Sequence, residues 1–120
     1  MRRIAQMLAL AVVLTLLAAT AAEAHRYRGT GGRVKVRSST ADANGDLVVA
    51  GRLTIGNKGD DVALRCRIEV TTTQDRTRGT WRRIAVDAGD RTTKRWRVRF
   101  FGAATGEVAR DVDVPHCHHV

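Results

Sequence analysis

The chain has 120 residues, which is enough for one small domain with a modest core and excludes a large multidomain enzyme. It carries 21 Lys and Arg against 12 Asp and Glu, a formal net charge of +9. That balance disfavours cationic partners and favours anionic ones: wall polymers, acidic glycans, anionic lipid headgroups or nucleic acid. Solubility is the plain alternative explanation for the charge.

The N-terminus opens with Arg2 and Arg3, followed by an apolar run from Leu8 to Leu17 that only Thr15 interrupts. Ala22-Glu23-Ala24 then supplies a small-x-small cleavage site. This order predicts a secretory signal peptide over residues 1–24, cut after Ala24. An uncleaved anchor is the alternative, because Ile4 to Ala22 approaches the length of a bilayer span. Residues 25–32, HRYRGTGG, are polar and glycine-rich and read as a flexible arm; residues 33–120 form the domain.

From residue 33 a two-residue alternation takes over. "RVKVRS" sends Val34 and Val36 one way and Arg33, Lys35 and Arg37 the other. "DANGD" contains Asn44-Gly45, a hairpin signal because both positions tolerate positive φ. "DLVVAGRLTIG" is the second strand, and "GNKGDD" turns the chain. "VALRCRIEVTT" alternates most cleanly, with Val62, Leu64, Cys66, Ile68 and Val70 facing in. "TWRRIAV" is a shorter, less regular strand. "RTTKRWRVRFF" points Trp96, Val98 and Phe100 inward against Arg95, Arg97 and Arg99, and Phe101 breaks the pattern. "VARDVDVP" is the last strand, with Pro115 and a histidine tail ending the chain. Six or seven short strands without a helical period predict an all-β fold, an antiparallel sandwich of immunoglobulin or fibronectin type behind the signal helix. A small barrel is the runner-up.

Within residues 48–101, "VVAGRLTIGNKGDDVALRCRIEV" and "AVDAGDRTTKRWRVRF" resemble the small immunoglobulin-like domains of bacterial exported proteins, including the FxLYD type. Gly51, Asn57, Gly59 and Gly89 sit at the matching turn and strand positions, whereas the aromatic-Leu-Tyr-Asp segment is replaced by IEVTTTQD. The resemblance implies export and a non-catalytic accessory or adhesion role.

The two cysteines, Cys66 and Cys117, both follow the signal. An even pair in an oxidising compartment reads most simply as a disulfide, with a free thiol or a metal ligand as the alternative. His116, His118 and His119 flank Cys117 in "PHCHHV". Imidazole suits copper or zinc, but adjacent residues of an extended chain point to opposite sides. Cleavage after Ala24 would expose His25, whose free amine and ring can chelate copper, with one of the three C-terminal histidines completing the site. Copper is therefore the alternative to a chain without cofactor. "DANGD" lacks the ligand spacing of a calcium loop. Ser38 and Ser39, the only serines, lie in no nucleophile motif, and no paired carboxylates suggest acid–base work, so an enzyme is not expected.

The arginines remain. Lys35, Arg37, Arg52, Arg95, Arg97 and Arg99 should share the outer face of one sheet, while Arg65 and Arg67 should be balanced by Asp111 and Asp113 on the other. The expected role is a secreted binding or accessory module for an anionic envelope polymer, glycan or protein, with no membrane span after cleavage. A copper-binding protein and a cationic membrane-active effector are the alternatives. Nucleic acid is disfavoured by export and by the few outward aromatics.

Overall fold

The computed structural model describes residues 22–24 and 29–120. The rest of the expected signal segment, and His25, lie outside the described residues. Among the described residues seven strands run in order: β1 (Ala22–Ala24), β2 (Thr30–Ala41), β3 (Leu47–Asn57), β4 (Val62–Thr72), β5 (Thr77–Val86), β6 (Arg91–Phe100) and β7 (Ala109–His119). They form two antiparallel sheets, β1-β2-β3-β6 and β5-β4-β7, packed as a β-sandwich. No helix among the described residues is long and apolar enough to cross a membrane.

The alternation in the sequence is the cause of this architecture. From β2 onward the strands send alternating residues to the core: Val34 and Val36 from β2, Leu47, Val49, Leu53 and Ile55 from β3, and Leu64, Cys66, Ile68 and Val70 from β4. Ile84 and Val86 come from β5, Trp96, Val98 and Phe100 from β6, and Val112, Val114 and Cys117 from β7. Burying one face of each sheet against the other removes these side chains from water, at roughly 1.5–3 kcal/mol for each large one. Such a strand cannot slip by one residue without turning that face to solvent.

The turns follow their residues. In the β2–β3 hairpin, Gly45 N donates to Asp42 O at 3.1 Å, and Gly45 takes φ of 80°. Only Gly45 enters the left-handed region there, so the turn is type I closed by a glycine bulge rather than the two-residue turn that Asn44-Gly45 suggests. Gly51 is required by packing: a Cβ would run into the carbonyl oxygen of Lys35 and lie 2.8 Å from Cε2 of Trp96. Asn57 joins two turns at one end of the sandwich. Its buried Nδ2 donates to the carbonyls of Asp60 at 2.7 Å and Val86 at 3.0 Å, and its own backbone oxygen accepts from Gly89 N.

Two boundaries differ from the sequence reading. β2 begins at Thr30, because Thr30-Gly31-Gly32 continues the ladder opposite Asn57-Gly56-Ile55. β7 does not stop at Pro115; it runs to His119. A proline fits because β7 is the outermost strand of its sheet, and the register shifts opposite Arg67 to Glu69. The histidine tail is therefore a paired strand end and not a frayed one. Its pairing places Cys117 directly opposite Cys66, with Cα atoms 4.0 Å apart, and the two form a disulfide. The bond ties neighbouring strands of one sheet, unlike the bond between sheets typical of antibody domains. Phe101, 61% exposed, marks the end of β6.

Candidate functional site

Because β2, β3 and β6 are neighbours, the outward residues of three strands meet on one face. Their register aligns Lys35 with Arg52 and Arg52 with Arg95, a row of three cations at about 4.8 Å strand spacing. The neighbouring row, roughly 6.6–6.8 Å along the strands, holds Ala50 opposite Arg97. A β-bulge between Val36 and Ser38 turns Arg37 toward the same region. Lys35, Arg37, Arg52, Arg95 and Arg97 are all exposed, and none forms an ion pair with a carboxylate among the described residues. Arg33 and Arg91, outside the sequence-derived set, share the face and wall an open trough of about 720 Å³ whose floor includes Gly31 and Gly56. Glycine on two neighbouring strands leaves that floor without side chains.

Arg99 belongs to the same strand face but is spent differently. Its Nη1 donates to Asp42 and, at 3.3 Å, to Asp46, the two acids of the β2–β3 turn. The Arg99 guanidinium is the main reason the Asp42 carboxyl is held below its ordinary pKa, and the pairing raises that of Arg99. The face is thus cationic in its middle and at the β2 side, and neutralised at the hairpin.

Like charges directly opposite each other destabilise a sheet. The Lys35–Arg52–Arg95 row is therefore an arrangement that folding alone does not favour. An anion laid across it relieves the repulsion, and the exposed guanidinium forks match carboxylate, sulfate or phosphate oxygens in pairs.

The other sheet departs from expectation. Arg65 lies opposite His118 and Arg67 opposite His116, while Asp111 faces Thr71 and Asp113 faces Glu69. The expected balance of Arg65 and Arg67 by Asp111 and Asp113 is corrected: extending β7 past Pro115 moves the aspartates to the far end of β4. Arg67 instead donates to Glu69 on its own strand at 2.9 Å. Trp81, which the sequence reading did not single out, lies over this face. Arg65 sits 4.8 Å and Arg67 5.8 Å from its ring centre, and His118 stacks on it at 5.4 Å. Its ring is occupied by neighbours from β4 and β7, so the cluster acts as a cross-strand ladder that stiffens the sheet.

His116 and His118 stack side by side at 6.1 Å with nearly parallel rings, and His119, opposite Leu64, has the other parity. Cys117 has no thiolate to offer, being oxidised. Among the described residues no group of three His, Cys, Asp or Glu side chains is placed to hold a metal ion. The remaining member of the copper set, His25, lies outside the described residues.

No protein-family model and no curated protein sequence matches the chain. Among solved structures, a putative beta-galactosidase from Bacteroides fragilis is similar over 72% of this chain and 16% of its own, at 12% identity and a TM-score of 0.48. A DUF1425 family member from Shewanella sp. pv-4 is similar over 86% of this chain and 88% of its own, at 12% identity and a TM-score of 0.40. A beta-glucosidase from Listeria innocua is similar over 76% of this chain and 16% of its own, at 17% identity and a TM-score of 0.36. The chain spans about one sixth of each of the two glycosidase chains it resembles. The sandwich itself rests on the strand order and packing of this chain.

Proposed function

We propose that the protein is an exported, non-catalytic β-sandwich that binds an anionic polymer of the cell envelope or extracellular space through the outer face of the β2-β3-β6 sheet. The observation that carries this reading is the in-register row Lys35–Arg52–Arg95, exposed and without a carboxylate partner among the described residues. Export is supported by the order Arg2-Arg3, apolar run and Ala22-Glu23-Ala24, and by a disulfide that an oxidising compartment maintains. A relation to the FxLYD-type domains agrees with the positions of Asn57 and Gly89, which meet through a backbone hydrogen bond of 2.8 Å. The role is that of an accessory module.

The test is binding to a linear anionic polymer at rising salt, with the wild type and an Arg95→Ser/Arg97→Ser variant. Exposed charges are screened beyond about 8–10 Å at moderate ionic strength, so affinity should fall steeply with salt and be weaker in the variant at every salt level. Binding that survives both high salt and the double substitution overturns the reading.

A further inference from the structure

Five arginines converge on one hollow of this face. A depression of about 480 Å³ over Ala50 and Gly51 is walled by Arg37, Arg52, Arg82, Arg95 and Arg97. Four belong to the β2-β3-β6 sheet, but Arg82 comes from β5 in the other sheet. On β5 it has the parity of Ile84 and Val86, which are buried, yet it is exposed. β5 is the outermost strand of its sheet and lies beside β6, so a charged side chain at an inward position escapes through the open edge of the sandwich. It thereby lines the same depression as arginines of the facing sheet.

Several independent features make this hollow. Ala50 is the small residue of its row, opposite Arg97, and leaves the space. The β-bulge brings Arg37 to its rim. No carboxylate lines it, and none of the five arginines is ion-paired among the described residues. Trp96 also lines it, and the buried Nε1 of Trp96 has no hydrogen-bond partner among the described residues.

We infer that this depression seats a tetrahedral phosphate dianion, either a phosphomonoester pendant from the polymer or the free ion. The inference rests on the anionic-polymer reading above and names its ligand chemistry. The five arginines that line the depression carry like charges, and each side chain ends in a planar fork of donors. A carboxylate brings one charge and two oxygens. A phosphomonoester brings a charge of about −1.5 to −2 and three strong acceptor oxygens, so it can answer more of these forks at once.

The experiment measures binding of inorganic phosphate, monomethyl phosphate and succinate to the full chain by calorimetry at mildly alkaline pH. Arg82→Ser, Arg83→Ser and Ala50→Glu are compared with the wild type. Arg83 is the control, because it follows Arg82 directly and carries the same charge on the outer face of the other sheet, opposite Arg65. Phosphate should bind more tightly than succinate. Arg82→Ser should lose about tenfold in phosphate affinity, Arg83→Ser should lose less than twofold, and Ala50→Glu should abolish binding by placing a carboxylate among the arginines. Monomethyl phosphate equal to or tighter than phosphate assigns the seat to a pendant group. Inorganic phosphate tighter by tenfold assigns it to the free ion. Equal losses for Arg82→Ser and Arg83→Ser, or succinate equal to phosphate, overturn the seat. If polymer binding stays salt-sensitive and Arg95-dependent in that case, the broader polyanion reading stands; if it too is absent, both fall.

Discussion

Glu107 takes the guanidinium of Arg76 on both carboxylate oxygens, at 3.0 and 3.1 Å. The pair joins the β4–β5 turn to the β6–β7 loop. Glu107 also accepts from Thr72 Oγ1 at 2.5 Å and from Ala104 N at 3.0 Å, and its side chain is only 1% exposed. Arg76 in turn donates to the carbonyls of Phe101 and Gly102. One ion pair thus satisfies backbone groups of a loop that is also tied to the β2–β3 turn, through Gly102 N to Asp46 and Ala103 N to the Gly45 carbonyl.

The Arg76 hydrogen bonds, followed by that of Thr72, pull the Glu107 carboxyl down from its ordinary 4.5 to about 2. A carboxylate more acidic in the folded than in the unfolded chain contributes stability that is complete above about pH 4.5. That contribution is lost as the pH falls through about 2. The melting temperature of the wild type should therefore fall progressively as the pH drops across that window. Glu107→Gln should melt at a lower temperature at pH 7 and show a flatter dependence below pH 4.5. A Gln variant with unchanged melting and the same acid slope would remove Glu107 from this role.

Reduction of the Cys66–Cys117 bond should destabilise the domain by about 2–5 kcal/mol, the usual range for loss of a native disulfide from a small domain. The bond closes a separation of 51 residues and staples β4 to β7, the edge strand that contains a proline. Denaturant unfolding with and without reductant measures the loss, and a Cys66→Ala/Cys117→Ala variant should reproduce it. Unfolding midpoints that coincide with and without reductant would contradict the expectation.

Gly51→Val should be among the most damaging single changes, at about 3 kcal/mol or more. The new side chain would have to displace the Trp96 indole and the Lys35 carbonyl, and the latter is backbone in a sheet. Gly45→Ala, with nothing within 4 Å of its Cβ but a φ of 80°, should cost about 1–2 kcal/mol through the backbone alone. Circular dichroism melts of the two variants side by side test the order; Gly45→Ala as the worse of the two would refute it.

Arg99 and its neighbours Arg95 and Arg97 should separate by function. Arg99→Ser removes the partner of Asp42 and Asp46, so it should loosen the β2–β3 hairpin and leave polymer binding nearly unchanged. Arg95→Ser/Arg97→Ser should weaken binding and leave stability within about 0.5 kcal/mol, since neither side chain builds the core. Paired melting and binding curves decide this. A loss of binding in Arg99→Ser as large as in the double variant would show that the turn acids do not neutralise it.

Asn57→Ala should cost about 1–3 kcal/mol, because the carbonyl of Val86 and the amide of Gly59 lose their partner at a buried position. Amide exchange should rise at the β3–β4 turn, whose Gly59 amide donates to the side chain, and at the end of β5, whose Val86 carbonyl accepts from it. Exchange rising at only one of them would show that Asn57 does not couple the two.

Which residues face the core was readable in the sequence, because alternation with a period of two is a local property that each strand carries by itself. Val34 and Val36 against Lys35 and Arg37, or Trp96 and Val98 against Arg95 and Arg97, need no partner to declare their sides. The pairing of two lone cysteines was readable for a different reason: chemistry and number leave few choices. Tertiary structure alone decided the rest. The register of β7 against β4 depends on the strand continuing through Pro115, and that register sends Arg65 and Arg67 to the histidines instead of Asp111 and Asp113. The bond from Arg99 to Asp42 and Asp46 spans more than fifty residues, and no local pattern marks it. Arg82 lies in a short strand that reads as irregular in sequence and declares no side for it. It joins the arginines of the facing sheet only because β5 is an edge, and whether a strand lies at an edge is a property of the assembled sheets, which its own residues do not state.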